Sequence, residues 1–241
     1  MPEQVEKFAL LERAAGDDSG KFYADLANGL HAMAQPLTIL RAAIEVLNLP
    51  PGAAIDPGRY LEISAAQVER TCRLFTNVQD LVTARNIAAV RTGFDLAALI
   101  GPLIEDRRIL WQASGVAIAV ARQQTATPIL GDDSRTRQAL AAILEIASEL
   151  AVRGDVIELQ ISRAGSSVQL AIENTRPHGR RLEASMRLSL ALAEANILSQ
   201  EGTYEFVFDP FRVCLTLPID ELAASGPEPV AKPEGETVAF D

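Results

Sequence analysis

The residues best placed to do chemistry are His31 and its flank, Leu30-His31-Ala32-Met33-Ala34-Gln35-Pro36-Leu37-Thr38. An imidazole changes protonation near neutral pH and, when neutral, offers a nitrogen lone pair as a nucleophile or base. Apolar residues recur around it at Leu26, Leu30, Met33, Leu37, Leu40, Ile44 and Leu47, alternating four and three apart. That spacing is the a/d seam of a helix packed against partner helices. His31 directly follows a seam residue, which sets it at the edge of the seam and within reach of water. Gln35, four residues on, stands one turn further along the same face, and Pro36 is expected to kink the helix locally. A solitary histidine in such a place is most often a solvated side chain at a bundle edge. The Pro-Leu-Thr that follows, and the rest of the chain, argue for more.

The elements that must hold His31 can be read outward from it. Residues 1–20 form a separate N-terminal segment, with a short helical pattern (Val5, Phe8, Leu11) and a turn-like break at Gly16-Asp-Asp-Ser-Gly. Lys21–Leu49 is one long helix, stopped by Leu49-Pro50-Pro51-Gly52. A second helix runs from Gly58 to Ala88 with Leu61, Ala65, Val68, Cys72, Phe75, Gln79 and Val82 on its seam. Two heptad-patterned helices joined by a short loop make an antiparallel hairpin, here residues 21–88. One hairpin cannot cover both sides of its seam, so two hairpins pairing into a four-helix-bundle homodimer are expected. From Phe94 the period changes. Helices are expected over 95–112, 132–152 and 182–199, the middle one with an acidic first turn that suits the helix dipole. Strands are expected at 116–121, 127–130, 156–163, 168–174, 204–208 and 212–217, with Ala-Gly-Ser-Ser turning one hairpin. This mixture gives an α+β sandwich over 94–219 with helices on one face. The tail, 220–241, is rich in Pro, Glu, Gly and Ala and is expected to be disordered. Trp111 and Phe94 are expected in packing, and His178 in a loop without a role.

Composition narrows the function. The chain has 241 residues, enough for two modest domains, and 48% of them are hydrophobic, enough for real cores. A net charge of −10 argues against a nucleic-acid partner, because phosphate binding needs a basic face. The two cysteines, Cys72 and Cys214, are far apart, fit apolar positions and make no disulfide framework. No stretch approaches the roughly 18–20 apolar residues that span a bilayer. The first residues lack a basic region followed by an apolar core. A soluble, cytoplasmic protein with no membrane partner is expected.

The segment around His31 resembles the phospho-accepting box of bacterial sensor histidine kinases, usually His-Glu-Leu-Arg-(Thr/Gln)-Pro-Leu-Thr. The order of elements over Phe94–Ile219 likewise resembles the ATPase domain of that family. In the family, the histidine takes a phosphoryl group and passes it to an aspartate on a receiver domain. The polar boxes for ATP are altered here. Ala32 stands where a Glu or Asp usually orients and deprotonates the imidazole for attack on ATP. Ile146 aligns with the asparagine that ligates Mg²⁺, and an aliphatic side chain cannot ligate a hard cation. Asn174 aligns with the aspartate that accepts the adenine amino group, and Arg176 and His178 replace two glycines of the same box. Met186-Arg-Leu-Ser-Leu-Ala-Leu keeps the leucine spacing of the second glycine box but none of its glycines, so no phosphate cradle remains. Roughly a dozen residues stand in for the long lid over ATP.

The resemblance, with these departures, implies a chain that binds no cofactor of its own and does not phosphorylate itself. Transfer between histidine and aspartate survives such losses, because the receiver brings the acidic pocket and the Mg²⁺. The implied activity is a histidine phosphotransferase of a two-component phosphorelay, with His31 as phosphoacceptor and Gln35 as a possible auxiliary. Response-regulator receiver domains are the implied partners. Exposed residues beside His31, namely Ala27, Ala34 and Thr38 with Arg41 as a charged rim, are candidates for docking them. A non-catalytic pseudokinase scaffold that docks on a receiver or a kinase fits the erased boxes equally well. A receiver phosphatase using Gln35 ranks lower, and an active kinase last.

Overall fold

The computed structural model describes residues 2–50, 56–121 and 128–221, with side chains from residue 19 onward. Helix α1 (Pro2–Leu47) and helix α2 (Pro57–Asn86) form the antiparallel hairpin. The expected break at residues 16–20 is absent, and α1 continues through it. Each glycine in a helix interior costs about 1 kcal/mol relative to alanine, a cost that a helix of 46 residues absorbs. Asp56 caps α2, accepting from the Gly58 amide at 3.0 Å, with Pro57 opening the first turn.

Beyond α2 come β1 (Thr92–Asp95), α3 (Leu96–Ser114), β2 (Ala117–Ala121), β3 (Pro128–Gly131) and α4 (Asp133–Leu150). Then follow β4 (Val156–Ala164), β5 (Ser167–Asn174), α5 (Ala184–Leu198), β6 (Thr203–Val207) and β7 (Arg212–Pro218). The main sheet has five strands in the order β2-β4-β5-β7-β6, with β2 parallel to β4 and every other pair antiparallel. Strand β1, which the sequence pattern does not reveal, pairs antiparallel with β3 in a small second sheet. Along β4, Ile157, Leu159 and Ile161 are buried while Glu158 and Gln160 are exposed, so the sheet packs one face and leaves the other open. Helices α3, α4 and α5 cover the packed face, and Trp111 lies in that core, its Nε1 donating to Ser148 Oγ at 2.5 Å. Phe94 is half-buried against the same core. The expected α+β sandwich is therefore the observed one. Only Asp220 and Glu221 of the tail fall within the described residues.

A second, smaller core joins the hairpin to the sandwich. Ala32 of α1, Leu74, Val78, Leu81 and Ala84 of α2, and Leu188, Ala191, Leu192 and Ala195 of α5 are buried together. The backbones come close because position 29 is glycine, where a Cβ would lie 2.8 Å from Val78 and 3.1 Å from Leu188. Helix α4 adds polar ties: Gln138 Nε2 donates to Asp80 Oδ2 at 2.5 Å, and Arg135 donates to the Ile87 carbonyl at 2.9 Å.

The seams found by periodicity divide in the folded chain. Leu26, Met33, Leu40 and Leu47 are half-buried, whereas Leu30, Leu37 and Ile44 are exposed. On α2, every seam residue from Leu61 to Val82 is exposed, Cys72 included, and a different row (Leu74, Val78, Leu81) packs inward. Periodicity finds an apolar stripe but does not say which neighbour covers it.

Candidate functional site

His31 projects from α1 on the side opposite the packed row of Gly29, Ala32 and Pro36, and is exposed. Ala27, Ala34, Thr38 and Arg41 are also exposed, and with His31 they repeat at intervals of four and three, which sets them on one helix face. Thr38 Oγ1 turns back to donate to the Ala34 carbonyl at 2.8 Å, and Arg41 Nε pairs with Glu45 at 2.8 Å. Gln35 is exposed one turn beyond His31. The imidazole therefore stands on an open face with no acidic residue following it. Ala32, which occupies the position of that acid, is buried beneath α5 at 7% exposure.

Behind this face, the residues aligned with nucleotide boxes have taken up internal partners. Ile146 is buried and lines a cavity of about 290 Å³ between α2, α4 and α5, together with Met186. Glu145, Glu149 and Glu183 also line it, facing Arg70 and Arg73 of α2. Arg73 lies 3.7 Å from Glu145 and Arg70 lies 4.0 Å from Glu183. Burial pushes the Glu149 carboxyl above the usual carboxylate range, with Glu145 and Glu183 adding to the rise and Arg70 and Arg73 opposing it. Three carboxylates around one cavity are a poor environment for a polyphosphate, and Ile146 offers a hard cation no oxygen.

Asn174 is buried and satisfied within the chain. Its Nδ2 donates to Asp155 Oδ2 at 3.3 Å, and its Oδ1 accepts from the Arg176 amide at 3.4 Å. Arg176 in turn reaches Asp155 Oδ1 at 3.5 Å. The expectation that His178 has no role is corrected. Its Nε2 donates to the Phe208 carbonyl at 2.7 Å while its Nδ1 accepts from the Arg180 amide at 3.1 Å, which fixes one neutral tautomer. The ring also meets Phe208 edge-on at 4.6 Å. His178 thus pins the short loop before α5, where its i+2 relation to Arg180 was the only local signal.

No protein-family model matches the sequence, and no curated protein does. Solved structures do resemble the fold. The Acinetobacter baumannii histidine kinase AdeS superposes with a TM-score of 0.65 at 19% identity, over 78% of this chain and 96% of that one. The histidine kinase ThkA, in complex with the response regulator protein TrrA, gives 0.62 at 17% identity, over 86% of this chain and 63% of that one. The chain has the histidine-kinase fold: a helical hairpin bearing an exposed histidine, followed by an ATPase-like domain. Among the described residues, no helix is long and apolar enough to cross a membrane.

Restoring an acid beside the histidine tests this geometry. Ala32→Glu places a carboxylate in the core shared with Leu188 and Ala191, and overpacking alone costs about 1–3 kcal/mol. The variant is expected to melt several degrees below the wild type and to acquire no ATP-dependent label on His31. An unchanged melting temperature would show that position 32 is not packed.

Proposed function

We propose that the chain is a histidine phosphotransferase of a two-component phosphorelay, exchanging a phosphoryl group between His31 and receiver-domain aspartates without using ATP. The observation that carries this reading is the separation of faces on α1: His31 is open to a partner while Ala32 is buried under α5. Attack by a neutral imidazole nitrogen on the phosphorus of an aspartyl phosphate forms the N–P bond. The P–O bond to the carboxylate breaks, and the carboxylate leaves with the electron pair. The leaving group is stable, so no strong base is needed beside the histidine, and Ala32 is no obstacle. Mg²⁺ on the receiver neutralises the charge of the moving group. This chain contributes position and access: a helix face with the small residues Ala27 and Ala34, which let a partner approach closely, and Arg41 at its rim. The fold it shares with ThkA, solved with a response regulator, supports a receiver as the partner.

The same reading takes the active form to be a homodimer. Leu30, Leu37 and Ile44 on α1, and Leu61, Val68, Phe75 and Val82 on α2, repeat every seven residues and are all exposed, Phe75 at 53%. A monomer that leaves two heptad rows in water has the surface of half a four-helix bundle. Replacing Val68 and Phe75 together with glutamate is expected to convert a sedimenting dimer to a monomer with little loss of helix. A wild type that sediments as a monomer at tens of micromolar would refute the assembly.

Transfer itself is tested with radiolabel. Purified protein is mixed with labelled ATP alone, and separately with a panel of labelled phospho-receivers. Label is expected only from a phospho-receiver, and His31→Ala is expected to abolish it. Label from ATP alone would contradict the nucleotide-free mechanism. Receiver binding with no transfer would instead assign the chain as a pseudokinase scaffold, and faster loss of phosphate from the receiver that depends on Gln35 would assign a phosphatase.

A further inference from the structure

Beside the small core that joins them, helix α1 and the ATPase-like domain enclose a cavity of about 370 Å³. Lys21 and Asp25 line it from α1, Arg187 and Glu194 from α5, and Tyr204 from β6. These polar groups are unevenly served. Lys21 Nζ is committed to Glu194 and so ties α1 to α5. Asp25 Oδ2 and the Tyr204 hydroxyl are instead shut off from water, with no hydrogen-bond partner among the described residues. A carboxylate oxygen so placed has neither water nor a donor to stabilise its charge.

A carboxylic acid fares better in the same place. It has no net charge to desolvate, and its O–H is a donor in a cavity whose walls carry two acceptors, the Tyr204 hydroxyl oxygen and the Glu194 carboxylate. The charges facing Asp25 do not reverse this preference. Burial pushes its carboxyl above the usual carboxylate range, and Glu194 adds to the rise, while Lys21 of α1 and Arg85 of α2 oppose it. Arg187 is exposed, so water screens it. Burial, helped by Glu194, also pushes the Tyr204 hydroxyl up, and the phenol stays neutral.

We propose that Asp25 makes the seating of the ATPase-like domain on the bundle proton-linked, the joint between α1 and α5 being tighter when Asp25 is a carboxylic acid than when it is a carboxylate. The proton comes from bulk water, and only the O–H bond forms. When the domain lifts away, Asp25 regains water and the ordinary acidity of an exposed carboxyl. Its contribution to the joint is therefore fully present below the unseated value and is lost as pH rises through the higher, seated one. Acidification tightens the joint, and a return toward neutrality loosens it. The device belongs to the joint alone and does not depend on phosphoryl transfer through His31.

Amide hydrogen exchange of α5 on the full chain, corrected for the intrinsic effect of pH, tests the link. Protection through 188–195 is expected to rise severalfold between about pH 7 and about pH 4.5. Asp25→Asn keeps the shape and removes the charge, and it is expected to hold the acid-level protection at both values. Burial also pushes up Glu149, which faces α2 across the other cavity. Glu149→Gln is therefore expected to leave the Asp25-dependent change in place. Carboxyl-carbon NMR of the wild type reads the proton without any variant, with the Asp25 midpoint expected above that of an aspartate in a blocked peptide. A midpoint at or below the peptide value would overturn the proposal. So would wild-type protection that is equal at both pH values, or a pH-dependent change that persists undiminished in Asp25→Asn.

Discussion

At position 29 a Cβ would lie 2.8 Å from a Val78 methyl of α2 and 3.1 Å from a Leu188 methyl of α5, so any side chain there forces those neighbours to shift. That contact fixes much of the rest. It brings three helix backbones within reach of one small core, in which Ala32 and Ala191 serve as low-volume neighbours and Leu188 and Leu192 supply the bulk. With one side of α1 committed to that core, helical geometry turns His31 to the opposite side. The exposed imidazole and the seated domain are two consequences of the same packing. Polar ties from α4, through Gln138 to Asp80 and Arg135 to Ile87, hold the same arrangement from the other end of the joint.

The chemistry of the ATPase-like domain follows from what that packing displaced. In the cavity beside α2, Glu145, Glu149 and Glu183 face Arg70 and Arg73, and Ile146 and Met186 supply apolar wall. Asn174, Asp155 and Arg176 close a hydrogen-bonded loop of their own. His178 spends both ring nitrogens on backbone groups. Side chains that would have to be free for a ligand are engaged in holding the short loop in place. On the proposed reading, this domain serves as a buttress and the phosphoryl chemistry is left to the partner.

Much of this was legible in the sequence, for identifiable reasons. The β4–β5 hairpin alternates cleanly because only one sheet face is packed, and Gly165 turns it at a φ of 62°. The hairpin helices announce themselves by heptads, and the exposed side of His31 follows from its place beside Leu30. Other features left weaker traces. Strand β1 has four residues and a glycine, too short for a period. The break expected at residues 16–20 relied on two glycines whose local cost a long helix outweighs. The α2 seam was visible, yet its residues are exposed in the folded chain, since a stripe in one chain carries no record of its partner. The cavity between α1, α5 and β6 was not legible at all. Asp25, Asn28, Arg187 and Tyr204 meet only through tertiary packing, and no local pattern links them.

Helix α5 is packed on the bundle, and the proposed function requires no nucleotide on the domain behind it. Amide hydrogen exchange on the full chain, with and without Mg-ATP, tests this most directly. The account predicts slow exchange through 188–195 in both conditions and no nucleotide-dependent change in α4, the loop at 175–183 or α5. New protection of those segments on adding Mg-ATP would contradict it.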